Sequence, residues 1–180
     1  HNDARRQRQM CIRDRDRSVA KVKGSDKLPT FRRSYLQVCS DLGENDKVLS
    51  WFELLHQAPI PKTVWLQCEL MLAEGFTNAA RHAHKYLPRE TPIDIEITIY
   101  TDYLEIKIWD YGQPFDLKAW LRAQPDLDMF APGGRGIKLM YEIADYVSYT
   151  RTSDDRNCLL IVKRYWPYSQ EQNDFSDCDT

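Results

Sequence analysis

The sequence has no pair of cysteines at the C-x-x-C spacing of a metal or redox site, although it contains five cysteines among 180 residues. It has no apolar run long enough to cross a bilayer, and no basic stretch followed by an apolar leader. A net charge of −2 gives no general attraction to nucleic acid or to anionic membranes. These absences predict a protein of a reducing cytoplasm that binds neither nucleic acid nor a membrane directly.

Composition divides the chain into three parts. Residues 1–29 alternate Arg with Asp and Gln without hydrophobic periodicity, which predicts a disordered segment. Residues 10–15 resemble translated sequencing-adapter sequence, so this segment is alternatively non-native. A basic arm for nucleic acid is the functional alternative, but no aromatic residues interleave with the arginines. Residues 30–166 are expected to form one folded domain with a sizeable core, and residues 167–180 an acidic flexible tail.

Hydrophobic periodicity places the elements of the central domain. A period of two predicts strands at 31–38, 93–99, 103–110, 146–150 and 158–165. Helical spacing predicts helices at 44–57, 62–86, 117–123 and 135–144. The expected buried stripe of the second helix consists of Leu66, Leu70, Ala73, Phe76, Ala80 and Ala83.

Three polar side chains of the second predicted helix share one face. Glu74, Asn78 and His82 are spaced four residues apart, so they project in nearly the same direction. The plain interpretation is a solvated polar edge, but Gly75 in mid-helix indicates close approach of another group. The Asn78 amide oxygen would suit Mg²⁺ beside phosphates, and Glu74 would orient or deprotonate a hydroxyl. His82 either joins them or hydrogen-bonds nearby backbone.

Asp110 is in phase with the inward-facing residues of its strand. A buried carboxylate without a partner costs several kcal/mol, so something must satisfy it or the strand must end there. One hypothesis is that it accepts from the exocyclic amine of adenine, with Gly112 leaving room for a flat base. The alternative is that Asp110 caps the backbone of the loop that follows.

A glycine-rich turn at residues 133–136 precedes the last predicted helix. Its glycines let backbone N–H groups converge on an anion, and the helix N-terminus adds a partial positive charge that Arg135 and Lys138 reinforce. Taken alone, the pattern is also that of an ordinary turn. It is not a Walker loop, because the sequence contains no G-x-x-x-x-G-K-[ST].

Together these three stretches resemble the N, G1 and G2 boxes of the GHKL ATPase superfamily. The middle box, with no second glycine and with Phe115-Asp116 following, is similar to that of the anti-sigma-factor serine/threonine kinases of the RsbW and SpoIIAB type. The similarity extends over residues 31–166. The motifs are Glu74-x-x-x-Asn78-x-x-x-His82, Asp110-x-Gly112-x-x-Phe115-Asp116 and Gly134-x-Gly136-Ile137-x-Leu139-Met140.

The resemblance implies an α/β fold of the Bergerat type, an α+β two-layer sandwich with helices on one face of a mixed sheet. It implies ATP and Mg²⁺ as cofactors and phosphorylation of a serine or threonine on a STAS-type anti-anti-sigma partner by a homodimer that holds a sigma factor. Glu74 would be the general base and Asn78 the Mg²⁺ ligand. The other implied nucleotide contacts are His82, Asp110, Gly112, Gly133, Gly134, Arg135, Gly136, Ile137 and Lys138.

One departure from the family pattern bears on the base pocket, since Asn157-Cys158 stands where the family often has Gly-Thr. It predicts a weaker polar contact near the base. The main alternative is a GHKL module that binds ATP and regulates a partner with little transfer activity. A sensor histidine kinase is not favoured, because His56 lacks the expected acidic and basic neighbours. A plain α/β interaction module would bind no ATP.

Overall fold

The computed structural model describes residues 32–57, 60–123 and 135–165. The predicted segments 1–29 and 167–180 lie outside these residues and stay predictions. None of the helices in the described ranges is long and apolar enough to span a bilayer. The strands are β1 (Arg32–Cys39), β2 (Pro92–Ile99), β3 (Tyr103–Asp110), β4 (Tyr146–Arg151) and β5 (Asn157–Arg164), and the helices are α1 (Asn45–Glu53), α2 (Lys62–Asn78), α3 (Leu117–Ala123) and α4 (Arg135–Ile143).

The five strands form one sheet in the order β1-β2-β3-β5-β4. The α/β fold class is confirmed, but the expectation of a mixed sheet is wrong, because every pairing among the described strands is antiparallel. Two of the four pairings, β2 with β3 and β4 with β5, are hairpins, and a short hairpin connection joins only antiparallel strands.

The hydrophobic core lies between α2 and one face of the sheet. The alternating isoleucines of β2 are buried there, which confirms the predicted period of two. Gly75 of α2 makes the contact close, since a Cβ at this position would lie 2.6 Å from Ile108 Cδ1 and 3.1 Å from Leu159 Cδ2. The group that approaches Gly75 is therefore the sheet. Phe52 of α1 stacks on Trp65 with ring centroids 4.0 Å apart.

The buried face of α2 differs from the predicted stripe. Leu66 and Leu70 are 49% and 43% exposed, so their assignment to the core is wrong. The helix is rotated so that Trp65 and Met71, next to them in the chain, are buried in their place. The buried residues of α2 are Trp65, Cys68, Met71, Leu72, Gly75 and Phe76.

The second predicted helix is not continuous over 62–86. The α-helix ends at Asn78 and continues as a single π-helical turn over Ala79–Ala83. There the His84 N–H donates to the Ala79 carbonyl oxygen at 2.9 Å, across five residues instead of four. A π-turn is wider than an α-turn, so it changes the phase of everything that follows.

The second face of the sheet is more buried than a solvated polar face would be. Asp94, Glu96 and Thr98 of β2 are each no more than 6% exposed. Long side chains from neighbouring strands and from the β4–β5 turn cover them, and an ion pair joins Arg156 to Asp94 at 2.6 Å. Arg33 and Lys107 pair with Glu96 in the same way.

Candidate functional site

Asp110 ends β3 on the face of the sheet that carries the helices, and it is 2% exposed. Its Oδ1 accepts from the Gly112 N–H at 2.8 Å and from Asn157 Nδ2 at 2.9 Å, while its Oδ2 accepts from the Tyr149 hydroxyl at 2.7 Å. The predicted inward orientation is confirmed. The alternative of a loop cap is also realised in part, because the Gly112 N–H belongs to that loop.

These contacts leave part of the carboxylate unused. An ionised carboxylate offers about four acceptor sites, two on each oxygen. Both sites on Oδ1 are taken, and Tyr149 takes one of the two on Oδ2. No ion pair among the described residues includes Asp110. The remaining site on Oδ2 can accept one more hydrogen bond, such as that of a purine 6-amino group.

Tyr149 reaches Asp110 from β4, the edge strand on the far side of β5. Burial, and then the charge of Asp110, raise the pKa of Tyr149, which keeps its hydroxyl a donor. Its ring also packs edge-on against Phe115 with centroids 6.3 Å apart. No local pattern indicates this contact, because the two residues are 39 positions apart and meet only through the pairing of β4, β5 and β3.

Asn157 is 1% exposed and stands directly opposite Asp110 in the β3–β5 register. At this position the sequence predicts a weakened polar contact. The side-chain amide of Asn157 donates both to Asp110 and, at 3.0 Å, to the Gly112 carbonyl oxygen. Arg151 donates to the same carbonyl oxygen at 2.9 Å and to Asn157 Oδ1 at 3.2 Å. Asn157 and Arg151 therefore fix the loop that begins at Tyr111.

A buried histidine holds this loop from its other side. The Tyr111 N–H donates to His84 Nε2 at 2.8 Å, and His84 Nδ1 lies 3.0 Å from Ser40 Oγ. Burial lowers the pKa of His84, which favours the neutral ring that can accept at Nε2. The sequence singled out His82, but His82 is exposed on the π-turn, and His84 is the histidine attached to the loop.

Gly112 is buried against the π-turn. A Cβ at this position would lie 2.7 to 2.9 Å from the Cβ, Cα and carbonyl oxygen of Ala83. The close approach that the sequence predicts at Gly112 is therefore made by Ala83 of the protein itself. Any side chain here would push the loop, and Asp110 with it, away from the helix.

At the other end of the site, α2 and the start of α4 meet through Glu74 and Gly136. A Cβ on Gly136 would overlap the Glu74 carboxylate, lying 2.8 Å from its Cδ. The N-box and G2-box stretches are thus in direct contact. Asn78 is half-buried at the last position of α2.

The other residues predicted to contact the nucleotide lie at or near the start of α4. Arg135, its first residue, is exposed, and Ile137 and Lys138 are half-buried. Gly133 and Gly134 lie outside the described residues, and so do the contacts predicted for them.

The described donors are compatible with Mg·ATP. They include no group of three or more His, Cys, Asp or Glu side chains that would hold a metal by themselves. Mg²⁺ that arrives with phosphates needs only one or two protein oxygens, which the Asn78 amide can supply. The open acceptor on Asp110 suits the base of a nucleotide, and the contact of Glu74 with Gly136 brings a carboxylate to the start of α4.

Comparison with known proteins agrees with this geometry. Residues 40–163 match the model of the histidine kinase-like ATPase domain. A serine-protein kinase RsbW from Bacillus pumilus is 33% identical over 95 residues, which cover 47% of this chain and 57% of the relative. RsbW from Listeria monocytogenes is 29% identical over 105 residues, covering 54% and 63%. The matches thus span less than two thirds of these curated relatives, whose names bear out the predicted likeness to RsbW-type proteins. By the match over residues 40–163, the chain belongs to the family of histidine kinase-like ATPase domains.

Proposed function

We propose that this chain is an anti-sigma-factor serine/threonine kinase, which uses Mg·ATP to phosphorylate a STAS-type anti-anti-sigma partner and which sequesters a sigma factor. The names of the relatives support the kinase part of the proposal. The observation that carries it is the buried Asp110 carboxylate, which accepts from three donors among the described residues and keeps one acceptor site beside them for a base.

Each residue has a role that follows from its place. Asp110 would accept from the adenine 6-amino group, and Gly112 would keep the loop close to the π-turn. Arg135, Gly136, Ile137 and Lys138 would surround the phosphates at the positive end of α4, together with Gly133 and Gly134. Mg²⁺, held through Asn78, would neutralise charge on the phosphates. His82 would contact the nucleotide from the exposed side of the π-turn.

In the phosphate-transfer step, Glu74 would be the general base. Its carboxylate would take the proton of the partner's serine or threonine hydroxyl as that oxygen bonds to the γ-phosphorus. The bond between the γ-phosphorus and the β,γ-bridging oxygen would break, and ADP would leave. Contact with Gly136 places the Glu74 carboxylate beside the start of α4, where phosphates are expected.

Two measurements test the proposal. Titration with a fluorescent ATP analogue and Mg²⁺ should give saturable binding. Radiolabelled ATP should then transfer phosphate to a STAS-domain protein from the same bacterium. Replacing Glu74 by Gln should leave nucleotide binding nearly unchanged and lower transfer about 100-fold, within the usual range for removal of a general base. Glu69→Gln, the same substitution on the same helix, is the control and should transfer normally.

The outcomes separate the alternatives. Saturable ATP binding without phosphate transfer by the wild type would favour the regulatory ATP-binding module. No binding at millimolar nucleotide would favour a plain interaction module. Equal transfer by Glu74→Gln and the wild type would refute the assignment of Glu74 as base.

The assembly is proposed as a homodimer in the bacterial cytoplasm. On this proposal the partners use the exposed surfaces of β1 and α1. Tyr35 of β1 is 56% exposed on an edge strand, which gives this region an accessible aromatic side chain. Co-purification of a sigma factor and a STAS-domain protein from the native host would support the proposal. Recovery of the chain as a monomer without either partner would count against it.

A further inference from the structure

We propose that Tyr149 is a specificity-determining residue, which orients the Asp110 carboxylate so that the acceptor site left open on Oδ2 by the described contacts selects a purine bearing a 6-amino group over one bearing a 6-oxo group. This inference rests on the proposed function, since it presumes that a purine nucleotide binds at Asp110. Tyr149 acts through Asp110 and is therefore a positioning residue.

The hydrogen bonds to the Asp110 carboxylate divide unequally between its two oxygens. Gly112 and Asn157 both donate to Oδ1, at 2.8 and 2.9 Å. These bonds hold one oxygen and still allow the other to shift. The Tyr149 hydroxyl, at 2.7 Å from Oδ2, is the described contact that holds the second oxygen. With it in place, the direction of the last acceptor site is fixed.

Tyr149 is itself held in place by its neighbours. It stands in β4 opposite Leu159 of β5, and its ring packs against Phe115. A side chain held by a strand and by an aromatic neighbour loses little further freedom when a ligand arrives.

Hydrogen bonding at the remaining acceptor site of Asp110 distinguishes the two kinds of purine. A fixed acceptor attracts the N–H of a 6-amino group and repels the lone pairs of a 6-oxo group. If the hydroxyl is removed, Oδ2 gains a second open site that water can occupy. A bound water can donate to a 6-oxo group, so discrimination between the two bases should shrink.

The test is Tyr149→Phe, titrated with ATP and with ITP, which carries a 6-oxo group, each with Mg²⁺. We expect ATP to bind about tenfold more weakly, corresponding to about 1.4 kcal/mol. We expect ITP to change by less than about twofold, so the ATP-to-ITP preference should fall about tenfold. Tyr146→Phe removes a hydroxyl from the opposite face of the same strand, and it should leave the preference unchanged.

A double-variant cycle keeps the test independent of general damage to the fold. Added to Asp110→Asn, Tyr149→Phe should have no further effect on the ATP-to-ITP ratio. Equal weakening of both nucleotides by Tyr149→Phe would overturn the inference, because a purely structural role predicts it. The inference would be supported if Tyr149→Phe lowers the ATP-to-ITP affinity ratio in the wild-type protein and leaves it unchanged in the Asp110→Asn variant. A wild type that binds neither nucleotide would instead refute the proposed function.

Discussion

Two carboxylates are buried on opposite faces of the sheet, near the same end of the β2–β3 hairpin, and their surroundings differ. Asp94 lies on the face away from the helices, is 4% exposed and pairs with the guanidinium of Arg156 at 2.6 Å. The hydroxyl of Tyr35 and the amide of Gln37 also donate to it. Its charge is thus met by a cation within the protein.

Asp110, by contrast, receives hydrogen bonds from neutral groups alone in the described part of the chain. A buried charge that lacks a counter-ion is less well compensated than one in an ion pair. Asp94 therefore fits a role in stability, while Asp110 fits a role in binding. For these two residues, the hydrogen-bond and ion-pair partners of the buried carboxylate indicate its function better than its depth of burial does.

Replacing each carboxylate by its amide should give the largest difference in Mg·ATP affinity between the two sites. Asp110→Asn should weaken Mg·ATP binding about 1,000-fold, equivalent to about 4 kcal/mol, because an amide cannot accept from every donor around it. Asp94→Asn should leave the dissociation constant within about twofold of wild type. Isothermal titration calorimetry measures both dissociation constants, and similar losses of affinity in the two variants would contradict the separate roles of Asp94 and Asp110.

Gly112→Ala should destabilise the region around Asp110 without touching its carboxylate. The new Cβ would meet the Ala83 backbone, which cannot move aside as a flexible side chain would. We expect the free energy of unfolding to fall by about 3 kcal/mol, as in other overpacked sites. Urea denaturation measures this loss. The exposed Gly43→Ala, whose Cβ meets Asp41 at 3.4 Å, is the control and should cost much less.

Asp94→Ala should lower the free energy of unfolding by about 2 kcal/mol, because several hydrogen bonds to a charged group are lost. Arg156 keeps a second partner in Asp154, at 2.7 Å, which limits the loss. Thermal denaturation at two salt concentrations measures the effect. A loss of nucleotide affinity in a variant that remains folded would contradict the assignment of Asp94 to stability.

The smallest effect concerns pH. The pKa of His84 is lowered from 6.5 by burial, so the folded protein binds fewer protons here than the unfolded chain. Its contribution to stability is complete above about pH 6.5 and is lost as the pH falls from there toward the lowered folded pKa. The expected cost is below about 1 kcal/mol for each pH unit. His84→Gln should flatten the dependence of melting temperature on pH between about 5 and 7; an unchanged slope would contradict this.

The local patterns of the sequence predict most of the fold. Alternating isoleucines place β2, and the helix predicted at 117–123 is observed at Leu117–Ala123. The π-turn at Ala79–Ala83 is not predicted, because its residues have ordinary helical character. The buried side of α2 is misjudged at Leu66 and Leu70, since apolar residues surround most of that helix and the contact through Gly75 decides its rotation.

The site is predictable where a residue acts through its own position and hidden where it acts across strands. The inward orientation of Asp110 follows from the period of two. Its partners Tyr149 and Asn157 come from strands 39 and 47 residues later, and their contact depends on the register of β3, β5 and β4. His84 is missed for a similar reason, because its partner Ser40 follows β1.

The binding of adenine by Asp110 can be seen in a crystal structure with Mg²⁺ and a non-hydrolysable ATP analogue. We expect the adenine 6-amino nitrogen at about 2.7 to 3.2 Å from Asp110 Oδ2, with the Tyr149 hydroxyl still bonded to the same oxygen. An analogue bound elsewhere, with protein side chains filling the space beside Asp110, would contradict it.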